Sequence, residues 1–186
     1  MLRYALLASA VAPAAAFFVA APPLPRAARR ATRLEAVAPL VWAQRTVTVS
    51  GQRGCKLITP QIKDAVEAEV STVQVGLLNL FVQHTSCGLT INENCDPDVR
   101  GDMEKALSRI VPESWNHDGT FVHTMEGDDD MPAHVKSSLF GASLNVPISD
   151  GRLALGQWQG VWLAEFRDFG GDRRVLCTVQ GRGYGA

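Results

Sequence analysis

Paired cysteines, an excess of basic charge and internal repeats are all missing from this 186-residue chain. Cys55, Cys87, Cys95 and Cys177 form no CxxC pair, which excludes the usual structural zinc and dithiol redox motifs. They read as reduced, mostly buried thiols. With 46% apolar and 20% charged residues, the composition also excludes a disordered or fibrous chain. The length suits one domain with a substantial core.

The first 36 residues differ from the rest. An Ala/Leu/Val stretch is broken by Pro13, Pro22 and Pro23 and runs into an Arg-rich segment whose one acid is Glu35. That stretch is too short and interrupted to span a bilayer, so residues 1–36 are expected to be a cleavable targeting leader. Its signal-like core followed by a basic part resembles the bipartite leaders of plastids acquired by secondary endosymbiosis. Mitochondrial import and secretion are the other destinations. Residues 37–186 then form the single domain, expected to be free of the membrane in its mature form. Five Arg and one Glu leave with the leader, so the domain keeps 13 basic and 18 acidic residues, a formal charge of −5. Nucleic-acid affinity rests on neutralising phosphates, and this balance argues against such a partner.

Residues 41–49 alternate as a half-buried strand does, with Ala43, Val47 and Val49 on one side. Thr59-Pro60 gives a capping hydroxyl ahead of a proline, and Ile62, Val66 and Val70 recur every fourth residue, so a helix is expected there. The nearly continuous apolar run from Val73 to Gln83 reads as a strand buried on both faces. Asp96-Pro97 repeats the cap-then-proline pattern ahead of a helix over 97–111. Residues 112–130 show little periodicity beyond a hint of a strand at Phe121-Val122. Pro132 opens a third helix that stops at Gly141. Strands at 143–147, 153–155, 158–166 and 174–179 complete an α+β fold of antiparallel sheets with about three helices.

Chemistry-bearing residues gather between His84 and His134. His84 follows the long apolar strand, while His123 and His134 flank Glu126, Asp128, Asp129 and Asp130. Each histidine alone fits a structural role as well as a functional one, and the acidic run fits a solvated turn. Together, three imidazoles would suit Zn²⁺, and added carboxylates would admit Mn²⁺ or Mg²⁺. His117 lies in the long loop and reads as a surface residue. Asp96 reads as a helix cap, while Glu93 and Asn94 precede the helix and are less easily explained that way. Glu93 is a candidate general base or outer metal contact, and Asp96 and Asp130 are further candidate catalytic carboxylates. Arg100 and Lys136 offer positive charge for a phosphate, although either also fits a surface ion pair. Trp158 and Gln159 in the Gly156–Gly160 turn are candidates to hold a heteroaromatic ring, with core packing as the other role for Trp158, and Asn94 is a further substrate-binding candidate.

Three long blocks resemble the YjbQ-like family, also called the secondary thiamine-phosphate synthase family. They are HTSCGLTINENCDPDVRGDM (84–103), HTMEGDDDMPAHVKSSLFG (123–141) and SLNVPISDGRLALGQWQGVWLAEF (143–166). Gln157 departs from the threonine usual in the family's turn. The resemblance implies an α+β sandwich, a homotrimer, and His84, His123 and His134 as the metal-site histidines. It also implies an enzyme joining a pyrimidine pyrophosphate to a thiazole phosphate with loss of pyrophosphate. A non-catalytic module for a small anionic metabolite and a metal-dependent phosphohydrolase are the other readings.

Overall fold

The computed structural model describes residues 37–185; the leader expected over residues 1–36 lies outside them. Among the described residues, eight strands form two antiparallel sheets, accompanied by three α-helices. Strand β1 (Leu40–Gly51), β8 (Gly171–Gly183), β3 (Val73–Val82), β5 (Ser143–Ser149) and β6 (Arg152–Leu153) make a five-stranded sheet in that order. Strands β2 (Gly54–Leu57), β7 (Gln159–Glu165) and β4 (Cys87–Glu93) make a three-stranded one.

Alternation decides which side chains meet between the sheets. Val47, Val175 and Val82 lie in register on the large sheet, as do Leu78 with Val179 and Leu80 with Cys177. All are buried with Leu89, Val161 and Leu163 of the smaller sheet, and with Ile62, Val66 and Val70 of α1 (Thr59–Val70). The every-fourth-residue pattern of α1 therefore does what its sequence predicts. The other face of the small sheet carries Ala164 and Phe166, covered by Leu107 of α2 (Asp98–Ile110) and Ala133 of α3 (Asp130–Phe140). Close approach of α3 needs Gly88. A Cβ there would lie 2.5 Å from that of Phe140 and 3.2 Å from the Gly141 carbonyl. Gly141 ends α3 with φ +92°, and its carbonyl accepts from Leu89 N at 2.9 Å.

Three local expectations change. The run from Val73 to Gln83 is not buried on both faces: Val75, Leu77 and Phe81 face outward, because this strand belongs to an antiparallel sheet covered on one side. Thr59 does not cap α1, since its Oγ1 accepts from Val161 N at 2.8 Å and ties the helix to β7. Phe121-Val122 is no strand. Phe121 packs edge-on against Trp115, with centroids 5.6 Å apart, at the end of a single 3₁₀ turn (Glu113–Asn116).

A candidate metal centre at the start of α3

Sheet geometry separates the candidate residues into two groups. Strand β4 begins at Cys87, just after His84, and ends at Glu93. Seven extended residues span about 20 Å, so the His84 end and the Glu93 end are opposite ends of the small sheet.

At the His84 end, α3 brings Asp130 and His134 together one helical turn apart, and the preceding loop folds His123 onto them. His123 Nε2 is 2.9 Å and His134 Nε2 is 3.3 Å from the same oxygen, Asp130 Oδ2. One ligand atom from each of the three lies within 4.8 Å of the other two. Asp130 is 2% exposed in its side chain, while His123 and His134 are 47% and 31% exposed, so a buried carboxylate sits under two accessible imidazoles. His134 Nδ1 lies 3.1 Å from the Thr85 carbonyl. That oxygen only accepts, so Nδ1 carries a hydrogen, which leaves Nε2 as the ring atom able to ligate a metal ion on the side of Asp130.

Arg167, directly after β7, holds the carboxylates from behind. Its Nη1 pairs with Asp130 Oδ1, its Nε with Asp129 Oδ2 at 3.0 Å, and its Nη2 donates to the Glu126 carbonyl at 2.8 Å. Burial opposes ionisation of Asp129, but the Asp168 N–H and Arg167 outweigh it and keep its carboxyl below the usual range. The loop is tied further by Asn116 to the Asp128 carbonyl and by His117 to Asp128 at 3.1 Å, so His117 stands on the surface beside the cluster. Arg167 was missed from sequence because a charged residue after a strand is ordinarily a surface residue.

His84 stands nearby without joining the three. Its Nδ1 accepts from Ser86 N at 3.1 Å, so the neutral ring carries its hydrogen on Nε2. Burial, followed by the charge of Arg173, lowers its pKa and keeps the ring neutral. In this tautomer His84 presents a donor. Lys136, expected to face phosphate, is turned inward at 1% exposure, and its Nζ donates to Ser108 Oγ at 3.2 Å. Burial, then the charge of Arg53, lowers its pKa.

At the other end the candidate residues bind one another. Asn94 Nδ2 donates to the Gln159 carbonyl at 3.0 Å, and Asn94 N to the Trp158 carbonyl at 2.9 Å. Gln159 Oε1 accepts from Gly156 N at 2.9 Å, which closes the turn. Asp96 Oδ1 accepts from Asp98 N at 2.9 Å, satisfying a free N–H at the start of α2. Glu93 pairs in register with Gln159, and Trp158 remains half exposed. Arg100 faces a different pocket, beside β2.

The family model for UPF0047 protein YjbQ-like proteins matches residues 43–182. The chain belongs to the YjbQ-like UPF0047 family. A UPF0047 protein YjbQ of Escherichia coli O157:H7 is 49% identical over 142 residues, which cover 76% of this chain and 99% of that one. A UPF0047 protein of Synechocystis is 46% identical over 111 residues, 60% of this chain and 74% of the relative. Among solved structures, an uncharacterised YjbQ/UPF0047 family protein of Clostridium acetobutylicum has a TM-score of 0.61 at 36% identity, covering 74% of this chain and 98% of its own. A YbjQ-like protein of unknown function from Sulfolobus solfataricus shares the fold, with a TM-score of 0.69 at 22% identity over 77% of this chain and all of its own. The α+β fold is that of the YjbQ-like structures, and the family's function is not established.

Proposed function

We propose that this YjbQ-like protein is a metal-assisted enzyme acting on small phosphorylated metabolites, with His123, Asp130 and His134 holding a divalent ion. The observation that supports this reading is that His123, the buried Asp130 and His134 each bring one ligand atom within 4.8 Å of the other two. The donor set fits: two imidazoles and one carboxylate form a three-ligand set that leaves a coordination position open, and they suit Zn²⁺ or Mn²⁺ better than Mg²⁺. Bound there, the ion would supply a Lewis acid for a phosphate oxygen or an acidified water.

The chain's own residues divide the remaining work. The Thr85 carbonyl fixes the tautomer of His134, as outer partners of ligating histidines do. Arg167 uses each of its three nitrogens on Asp129, Asp130 and the Glu126 carbonyl, which gives it a positioning role. His84 offers a neutral Nε2–H to an anionic substrate oxygen near the cluster, a hydrogen bond strengthened by the charge of its acceptor.

The specific reaction we propose is that of a secondary thiamine-phosphate synthase. Purified metal-loaded protein, given the pyrimidine pyrophosphate and the thiazole phosphate, is expected to form thiamine phosphate and release pyrophosphate, and to lose this in His134→Ala. Phosphate release from one precursor alone would make it a phosphohydrolase. Binding without turnover would make it a metabolite-binding module.

Two further proposals concern assembly and address. The outer face of the large sheet exposes Leu40, Trp42, Val75 and Leu77, with Trp42 and Leu77 both in register with Gln180. Such a patch favours self-association, and we propose the homotrimer; light scattering is expected to give three chains, and Trp42→Glu fewer. The leader proposal for residues 1–36 is tested by fusing them to a fluorescent protein, which is expected to accumulate in plastids.

A further inference from the structure

We propose that a second pocket, between β1, β2, α1 and α2, binds a phosphate group through Lys56 and Arg100. The cavity is about 460 Å³, and Thr48, Ser50, Cys55, Lys56, Gln61 and Arg100 supply its polar lining. It shares no residue with the His123–Asp130–His134 cluster, and the inference stands whether or not that cluster binds metal.

Charge is the first argument. The domain carries a net −5, yet among the described residues no carboxylate lines this cavity. Burial pushes the Cys55 thiol up to about 12, so it is neutral and adds no negative charge. The second argument is the state of the two cations. Lys56 lies over Gly51, where a Cβ would fall 1.0 Å from its Nζ, and the amine is held at 2.6 Å by the Ser50 carbonyl. One of its three donors is spent and two remain. Arg100 stands in an acidic segment but has no ion pair among the described residues, while Glu104, four residues along the helix, pairs with Arg53 at 2.8 Å. An unspent guanidinium fork and a held ammonium lining one cavity suit a tetrahedral oxyanion, the fork by paired hydrogen bonds and the lysine as a point charge. Gln61 adds an amide from the first turn of α1, which has no side-chain cap.

Inorganic phosphate is the probe, titrated into the full chain at constant ionic strength with chloride as control. Calorimetry is expected to show one saturable site, weakened about tenfold by Arg100→Gln or Lys56→Gln, the cost of a hydrogen bond to a charged group. Binding should survive in the His123→Ala/His134→Ala protein, whose metal binding is measured separately. In the wild type, phosphate-induced amide shifts should cluster at residues 48–61 and around Arg100, a readout that needs no variant to fold. No saturable binding to the wild type would overturn the proposal. So would amide shifts centred on α3, or equal affinity in the folded double variant Lys56→Gln/Arg100→Gln.

Discussion

His134 Nε2 and Asp130 Oδ2 lie 3.3 Å apart, one helical turn along α3, with the Thr85 carbonyl holding the ring by its other nitrogen. A divalent ion is the proposed occupant of this cluster. Adding Zn²⁺ at about 100 times its dissociation constant is then expected to stabilise the folded protein by about 2.7 kcal/mol. Asp130→Asn should abolish most of that gain, because a neutral amide replaces the buried anion. Thermal unfolding with and without metal, and after chelation, measures it; an unchanged midpoint in the wild type would count against the centre.

Arg167 makes three contacts that only a planar fork can make together, to Asp129, Asp130 and the Glu126 carbonyl. Arg167→Lys keeps the charge and loses the fork. Metal affinity is expected to fall by about 10- to 100-fold, the usual effect of removing a group that orients a ligand, while α3 remains folded. Calorimetric titration of the variant, paired with its far-ultraviolet dichroism, separates loss of positioning from loss of structure.

Much of the fold was legible because it is written in periodicity. Val47 and Val49 alternate, Ile62, Val66 and Val70 repeat at helical spacing, and all are buried. The candidate site was legible only in part. Asp130 and His134 stand at i and i+4, a spacing that marks one helix face, but a helix begun at Pro132 hides it, and α3 in fact starts at Asp130. Strand β4 carries its burial unevenly, with Cys87, Gly88 and Leu89 buried in succession and no alternation to betray it. Without that strand, His84 and Glu93 look like neighbours in one site. With it, they stand at opposite ends of a sheet, and Glu93, Asn94, Asp96, Trp158 and Gln159 gather away from the histidines. Arg167 carries no periodic signal, since its role depends on a loop that folds back from 38 residues earlier in the chain.

Cysteine reactivity gives an independent check on the packing. Cys95 is exposed, whereas burial pushes the thiols of Cys55 and Cys87 up to about 12 and that of Cys177 to about 11. The thiolate is the reacting form. At pH 8 a chromogenic disulfide reagent is expected to label one thiol quickly in the native protein and all four in denaturant. Cys95→Ser should remove the fast phase, and fast labelling of Cys55 or Cys87 would show that the small sheet is open.

Gly88 links the core to the candidate centre. Its missing side chain lets the end of α3 approach β4, and the same helix carries Asp130 and His134 at its start. In Gly88→Ala the new methyl would meet the Phe140 Cβ at 2.5 Å, too close to persist, so the helix must move outward or tilt. Overpacking of this kind costs about 1–3 kcal/mol. His134 would move with the helix while His84 and Thr85, fixed to the sheet, would not. The hydrogen bond from His134 Nδ1 to the Thr85 carbonyl would lengthen, and with it the control over which nitrogen faces Asp130. Denaturant unfolding is expected to show the stability loss, and metal titration of the still-folded variant a weaker site. Full metal affinity alongside lost stability would mean that the loop carrying His123, and not the seat of α3 on β4, sets the geometry of the cluster.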